Sequence, residues 1–233
     1  MPNEPESKPN YRFPRIPAPP LRISTFMKIG IVGTGNVGTT LGTRFAQLGH
    51  DVTFGTRRTD ATELAQLARG LNARVASQKE AAQMSEIIVL STPWPATAEA
   101  IGGLGDLSGK IIFDCTNPLQ PDLSGLVVGT TTSAGEQVAD WAPGARVVKI
   151  FNTIGYNIMD NPSFPEAAAT LFYCGDDAEA KAIAHELATG IGFDPVDAGS
   201  LRQARVLEPF ALLWITLAIS GKKRDIAFHL MHR

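Results

Sequence analysis

An α/β chain with a Rossmann-type doubly wound parallel sheet and a small C-terminal α/β lobe is predicted by three observations. Short apolar runs alternate with amphipathic runs over residues 27–155. A glycine-rich run, Gly33-Thr34-Gly35-Asn36-Val37-Gly38, falls between the first apolar run and the first amphipathic one. After residue 155 the alternation resumes in shorter form and ends in one long apolar helix. Strands that alternate with helices give a parallel sheet covered on both faces.

Taken in order, residues 28–32 (Lys-Ile-Gly-Ile-Val) form a strand and Gly33 to Gly38 a loop. Val37 to Leu48 has helical spacing and stops at Gly49, a common helix terminator. Asp51 to Gly55 is the second strand, Asp60 to Gly70 the second helix, and Arg74 to Ala76 a weak third strand. Glu86 to Ser91 is a buried strand, Ala96 to Gly102 a helix, and Lys110 to Asp114 and Arg146 to Ile150 are further strands. In the lobe, Ala168 to Cys174 and Phe193 to Asp197 read as strands around a helix from Ala178 to Thr189. Leu201 to Ser220 is a helix that Pro209 should kink or restart. Its second half is apolar nearly all round, so it must be covered, either by the lobe or by another subunit. Residues 1–26 carry seven of the sixteen prolines and read as a flexible tail, with a chain start at Met27 as the alternative. The domains are therefore 1–26, a dinucleotide-binding domain over 27–155, and a substrate and dimerisation lobe over 156–233.

Composition narrows the function classes. Of 233 residues, 44% are hydrophobic and 19% charged, as in an ordinary globular protein. The formal net charge of −2 gives no reason to expect nucleic acid or an anionic membrane as a partner. The longest apolar run, Pro209 to Ile219, is shorter than the roughly 20 residues of a membrane span. Cys115 and Cys174 can form no disulfide framework and have no metal-ligand spacing, so no metal site is predicted. Free thiols in strand-like runs fit a cytoplasmic location.

The chemistry begins at the glycine loop. Gly33 permits a tight turn, Gly35 lets the backbone approach a pyrophosphate, and Gly38 lets the helix pack on the strand. The helix amino terminus adds free N–H groups and a partial positive charge. Domains that bind NAD usually carry an acid at the end of the second strand, about 20 residues on. Here that position is Gly55, followed by Thr56, Arg57 and Arg58, while Asp51 begins the strand. A hydroxyl and two guanidinium groups suit a 2′-phosphate, which favours NADP(H).

Three later segments follow strands: Ser91-Thr92-Pro93-Trp94, Cys115-Thr116-Asn117-Pro118 and Phe151-Asn152-Thr153-Ile154-Gly155. Ligands of open α/β sheets sit outside the carboxyl ends of the strands. Ser91, Thr92, Pro93 and Asn117 are therefore expected beside the cofactor, and Trp94, Asn152, Thr153 and Ile154 beside the second substrate. Trp94 reads equally well as packing, and Asn117 as a turn former. No side chain stands out as a proton donor. His50 precedes the second strand at its far end, and His185, His229 and His232 lie in the lobe. Lys149 remains, though a lysine leaving a strand reads as structural. A site poor in acid–base groups suits a flavin-like acceptor, which spreads the incoming charge over its own ring.

At this point the chain resembles the coenzyme F420-dependent NADP oxidoreductase family. The stretches that carry the resemblance are residues 27–38, Gly55-Thr-Arg-Arg58, Thr92-Pro-Trp94, Cys174-Gly-Asp-Asp177 and Asp197-Ala-Gly-Ser-Leu201. The resemblance implies hydride exchange between NADP(H) and a deazaflavin, in a small cytoplasmic homodimer. It also implies phosphate contacts from Thr34, Asn36 and Val37, and 2′-phosphate contacts from Thr56 and Arg57. The chain departs from the archaeal members at Asn152 to Gly155, where they carry a histidine and then a proline. Its Val-Val-Lys-Ile-Phe-Asn-Thr-Ile run is instead similar to the reductase domains of membrane metalloreductases, which pass hydride to a flavin. A lysine frequent soon after the arginine pair is missing, with Ala61 near its place. Two other functions compete: reduction of a small imine or carbonyl compound, and non-catalytic NADP(H) sensing.

Overall fold

The computed structural model of the protein describes residues 26–57 and 62–231. The predicted tail up to residue 25, Arg58, and the predicted helix start at Asp60 lie outside the described residues. In chain order the elements are β1 (Lys28–Val32), α1 (Asn36–Gln47), β2 (Asp51–Thr56), α2 (Thr62–Gly70), β3 (Arg74–Ser77), α3 (Gln78–Gln83) and β4 (Ile87–Leu90). A 3-10 turn (Trp94–Ala96) leads into α4 (Thr97–Gly103), β5 (Ile111–Asp114), α5 (Ala134–Trp141), β6 (Arg146–Lys149) and α6 (Tyr156–Asp160). Then come β7 (Thr170–Gly175), α7 (Ala178–Ile191), β8 (Asp194–Asp197), a 3-10 turn (Leu201–Gln203) and α8 (Ala204–Leu217).

The eight strands form one sheet in the order β3-β2-β1-β4-β5-β6-β7-β8. All neighbours are parallel except β6 and β7. The chain winds outward from β1 to β3, crosses back, and winds outward the other way from β4. That reversal puts the switch point, where such sheets bind ligands, between the carboxyl ends of β1 and β4. The predicted Rossmann-type sheet is thus the one observed. Residues 156–231 add β7 and β8 to the same sheet and lay α8 across it.

Strand alternation separates two cores. Ile29, Ile31, Val89, Phe113 and Val148 face α1, α2, α6 and α7, with Phe45 and Phe54 among the largest apolar side chains on that side. Val32, Ile88, Leu90, Ile112 and Val147 face α4 and α5. At roughly 25 cal/mol per Å² of apolar surface, these continuous apolar strands are the main source of stability. Three short helices, α3, α5 and α6, have no counterpart in the sequence reading. α3 starts with a reciprocal capping box, in which the Ser77 hydroxyl accepts from Glu80 N–H and the Glu80 carboxylate accepts from Ser77 N–H.

Pro209 neither ends nor restarts α8, which continues through it. The helix departs from regular geometry only later, at Ser220 and Gly221. By length and composition the run Leu201–Gly221 could cross a membrane, although 28% of its window is buried within the protein. It packs on the sheet through Ala204, Leu207, Glu208, Ala211 and Trp214. Phe210, Leu213, Trp214 and Leu217, one stripe by spacing, meet different surroundings. Trp214 is buried, Phe210 stacks between Phe172 and Phe228, and Leu213 is 48% exposed. The chain then returns as an extended segment. Thr170 N–H donates to Phe228 O, Leu230 N–H donates to Thr170 Oγ1, and the Trp214 indole donates to Ile226 O.

Candidate cofactor and hydride-transfer site

Close contacts leave no room for side chains at Gly33 and Gly38 of the glycine loop. Gly33 has φ +105, a conformation that favours glycine. A Cβ on Gly38 would lie 1.8 Å from Gly33 O and 2.6 Å from Ser91 Oγ. A Cβ on Gly35 would meet nothing within 4 Å. Gly38 is therefore demanded by the fold, while Gly35 faces open space at the amino terminus of α1. Gly35 is the N-cap of that helix and offers no side chain to its first-turn N–H groups. Open space above uncapped donors is what a pyrophosphate needs, so the loop fits a dinucleotide.

At the end of β2, Thr56 is half-buried and Arg57 exposed. The acid of this strand, Asp51, lies at the opposite end and is paired with Arg74 at 2.5 Å. The carboxyl end of β2 thus presents a hydroxyl and a guanidinium, with no strand acid beside them.

At the switch point the Ser91 hydroxyl donates to Gly33 O at 2.7 Å, fastening the end of β4 to the glycine loop. Thr92 is buried, its hydroxyl 3.0 Å from that of Thr97, and Pro93 is exposed. Trp94 turns sideways: its ring lies 5.3 Å from Trp141, and it packs on the core that includes Val138.

The ends of β5 and β6 are interlocked. Asn117 Nδ2 donates to Asn152 O at 2.8 Å, and Asn152 Nδ2 donates to Asn117 Oδ1 and to Leu207 O. Asn152 Oδ1 is buried and has no protein partner. Thr153 and Ile154 are buried, Ile154 within the larger core. The turn into this segment passes through Phe151 at φ +64, unusual for a bulky residue. Phe151 is held there edge-on between Phe45 and Phe193. The structure thus joins Ser91 with Gly33 and Asn117 with Asn152, while Trp94 lies against the neighbouring helix.

Beneath the asparagines lies a cluster that sequence reasoning missed. Lys149 is fully buried, with Nζ 2.9 Å from Asp114 Oδ2, 3.0 Å from Glu208 Oε1 and 2.7 Å from Thr116 O. Burial works against its charge, but the Asp114 and Glu208 carboxylates outweigh that and hold its pKa above the ordinary lysine value. Sealed and fully paired, Lys149 is no proton donor for a substrate. Glu208 also accepts from the N–H groups of Ala134 and Gly135 at the start of α5. The signal in the sequence was a charged residue inside each of three apolar runs.

The described histidines lie elsewhere. His50 precedes β2 at its amino end, and burial lowers its pKa against an opposing pull from Glu186. His185 meets the Tyr173 hydroxyl at 3.3 Å, and His229 meets Ala168 O. Among the described residues no cluster of His, Cys, Asp or Glu could hold a metal ion. Both thiols are buried. Burial raises the Cys115 pKa, and pushes that of Cys174 up to about 12.

A doubly wound sheet with a glycine loop at its switch point and a basic end to β2 defines the class of dinucleotide-binding α/β proteins. Comparison with known proteins narrows that class. The profile of the family described as "NADP oxidoreductase coenzyme F420-dependent" matches residues 28–118. The F420-dependent NADP reductase of Methanothermobacter marburgensis is 31% identical, over 85% of this chain and 96% of its own. The metalloreductase STEAP3 of Rattus norvegicus is 32% identical over 79% of this chain, which spans 36% of that protein. A crystal structure from Arthrobacter sp. FB24, of a candidate F420-dependent NADP-reductase, is 33% identical. It superposes with a TM-score of 0.80, covering 88% of this chain and all of the other. An imine reductase of Aspergillus terreus shares the fold, with a TM-score of 0.62 at 20% identity. The chain belongs to the F420-dependent NADP oxidoreductase family and is an NADP-dependent oxidoreductase.

Proposed function

We propose that the protein transfers hydride between NADP(H) and a deazaflavin of the F420 type. Bound NADP(H) supplies or accepts the hydride. Gly33 to Gly38 hold its pyrophosphate, Thr56 and Arg57, with Arg58, hold its 2′-phosphate, and Ser91, Thr92, Pro93 and Asn117 line its nicotinamide half. Asn152, Thr153, Ile154 and Trp94 belong to the acceptor side, Asn152 at its border with the nicotinamide because it is bonded to Asn117, while the buried Thr153 and Ile154 act by shaping the turn. The observation that carries the reading is the chemistry of the strand ends. Amides and hydroxyls gather there, and the one ammonium nearby is sealed. Reduction of a carbonyl needs a positioned proton donor, whereas a deazaflavin ring spreads the charge itself. Family membership and the name of the M. marburgensis relative support the same acceptor. A flavin is the second reading, favoured by the Lys149-Ile-Phe-Asn152 run that resembles metalloreductase domains.

The same proposal includes a homodimer in the cytoplasm. Val206, Leu213 and Ile219 are 60%, 48% and 59% exposed along α8. An apolar helix face exposed at these positions is what a partner subunit would cover. The test is a comparison of kcat/KM for NADPH oxidation with F420, FMN, FAD, a ferric chelate and a cyclic imine. F420 is expected to rank first, followed by the flavins. Turnover with the imine alone would replace this reading, and tight NADPH binding without any turnover would make the protein a sensor.

A further inference from the structure

We infer that Lys149 is a positioning residue: its buried ammonium fixes the β5 exit turn that presents Asn117 and Asn152 to the nicotinamide. The inference rests on the reading above that the nicotinamide lies over the carboxyl ends of β4 to β6.

Asp114 and Lys149 are register partners at the last paired position of β5 and β6. Asp114 divides its carboxylate between two tasks. Oδ2 accepts from Lys149, while Oδ1 accepts from both the N–H and the hydroxyl of Thr116, at 2.9 and 2.7 Å. The Thr116 carbonyl then accepts from Lys149 Nζ at 2.7 Å. All three polar groups of Thr116 are therefore fastened to one ion pair. The next residue is Asn117, which clasps Asn152 across the gap between β5 and β6. Asn152 in turn donates to Leu207 O, next to Glu208, the second carboxylate on Lys149. The path from ammonium to amide is closed and contains no flexible side chain exposed to solvent.

A cluster whose only duty was to hold α8 would need no bonds to Thr116, because Glu208 already bonds Lys149 and the first turn of α5. Two asparagine amides that must meet a planar carboxamide need fixed backbones more than they need charge. Buried ions with every bond satisfied supply that rigidity in a low-dielectric interior. Asn152 Oδ1, buried and without a protein partner, is the acceptor left over for a ligand amide.

The test compares affinities for NADPH and for 2′-phospho-ADP-ribose, which has every part of the cofactor except the nicotinamide. In wild-type protein NADPH is expected to bind at least tenfold more tightly. In Lys149→Met, NADPH affinity should fall about tenfold while that for 2′-phospho-ADP-ribose changes less than twofold. Lys149→Met leaves two carboxylates facing an apolar group and can fail to fold. Thr116→Val keeps the ions and the fold and removes one bond to Asp114; it should lower NADPH affinity about threefold with the other ligand unchanged. If Thr116→Val and any folded Lys149→Met retain the wild-type preference, or weaken both ligands equally, the cluster serves the fold alone and the inference is wrong. If wild-type protein itself binds the two ligands equally, the placement of the nicotinamide over these strands fails first, and this inference falls with it.

Discussion

The two halves of the sheet build their ends from opposite materials. At β1 and β2 the site is backbone and open space: glycines, uncapped N–H groups and an exposed arginine. At β5 and β6 it is side chains: an ammonium, two carboxylates and two amides, nearly all out of water. The first half can receive a polyanion because little stands in its way. The second can orient a flat ring because its ions are fully paired and Asn152 Oδ1 is left as an acceptor. Hydride transfer needs both properties, tight capture of phosphates and fixed geometry at the reacting carbon.

The contrast predicts which changes hurt folding and which hurt binding. The largest effect should come from Glu208→Ala. It leaves Lys149 and two N–H groups of α5 short of a partner, and breaking a buried pair costs about 3–5 kcal/mol. Denaturant unfolding should show this loss, and a change within experimental error would mean that the cluster is not sealed. Gly38→Ala should destabilise by about 1–3 kcal/mol or more through overpacking against Gly33 O. Gly35→Ala, at the same loop, should lower the melting temperature far less, by the loss of a good N-cap alone, and lower NADPH affinity. Equal melting temperatures for the two variants would break the distinction between a glycine the fold demands and one the ligand demands. Arg57→Ala should cost about 1.5–3 kcal/mol of NADPH binding, the worth of a charged hydrogen bond, and leave NADH affinity nearly unchanged. Parallel losses for both cofactors in a titration would show that Arg57 does not read the 2′-phosphate. The smallest effect should be Ser77→Ala, about 1 kcal/mol of stability from loss of the α3 cap, with no change in cofactor affinity.

The first half of the molecule was legible in the sequence for a physical reason. Glycine spacing, strand periodicity and the missing acid after β2 are all local, and the features they specify lie within about 30 residues of one another. The cluster at β5 and β6 was not. Asp114, Lys149 and Glu208 meet only after β5 and β6 pair and α8 folds back over both. Asp114 and Lys149 each look like an ordinary charge at the end of a strand, and Glu208 like a polar position on a helix. The left-handed turn at Phe151 was equally hidden, since nothing local favours it and only packing against Phe45 and Phe193 holds it. Among the short helices, α3 could have been read from its capping box, Ser77 followed by Glu80. α6 has only five residues, too short for periodicity to register. The long apolar helix was legible in extent, but Glu208 in its middle is what determines how it sits.

The most direct test of the central claim is a single turnover with NADPH carrying deuterium on the transferred position of the nicotinamide. Excess protein is mixed with the labelled cofactor and oxidised F420, and the products are separated and weighed by mass spectrometry. Direct hydride transfer predicts deuterium in the reduced deazaflavin, in proportion to NADPH consumed, with none lost to solvent. Consumption of NADPH without label in the deazaflavin, or no consumption with F420 or any flavin, would contradict the account.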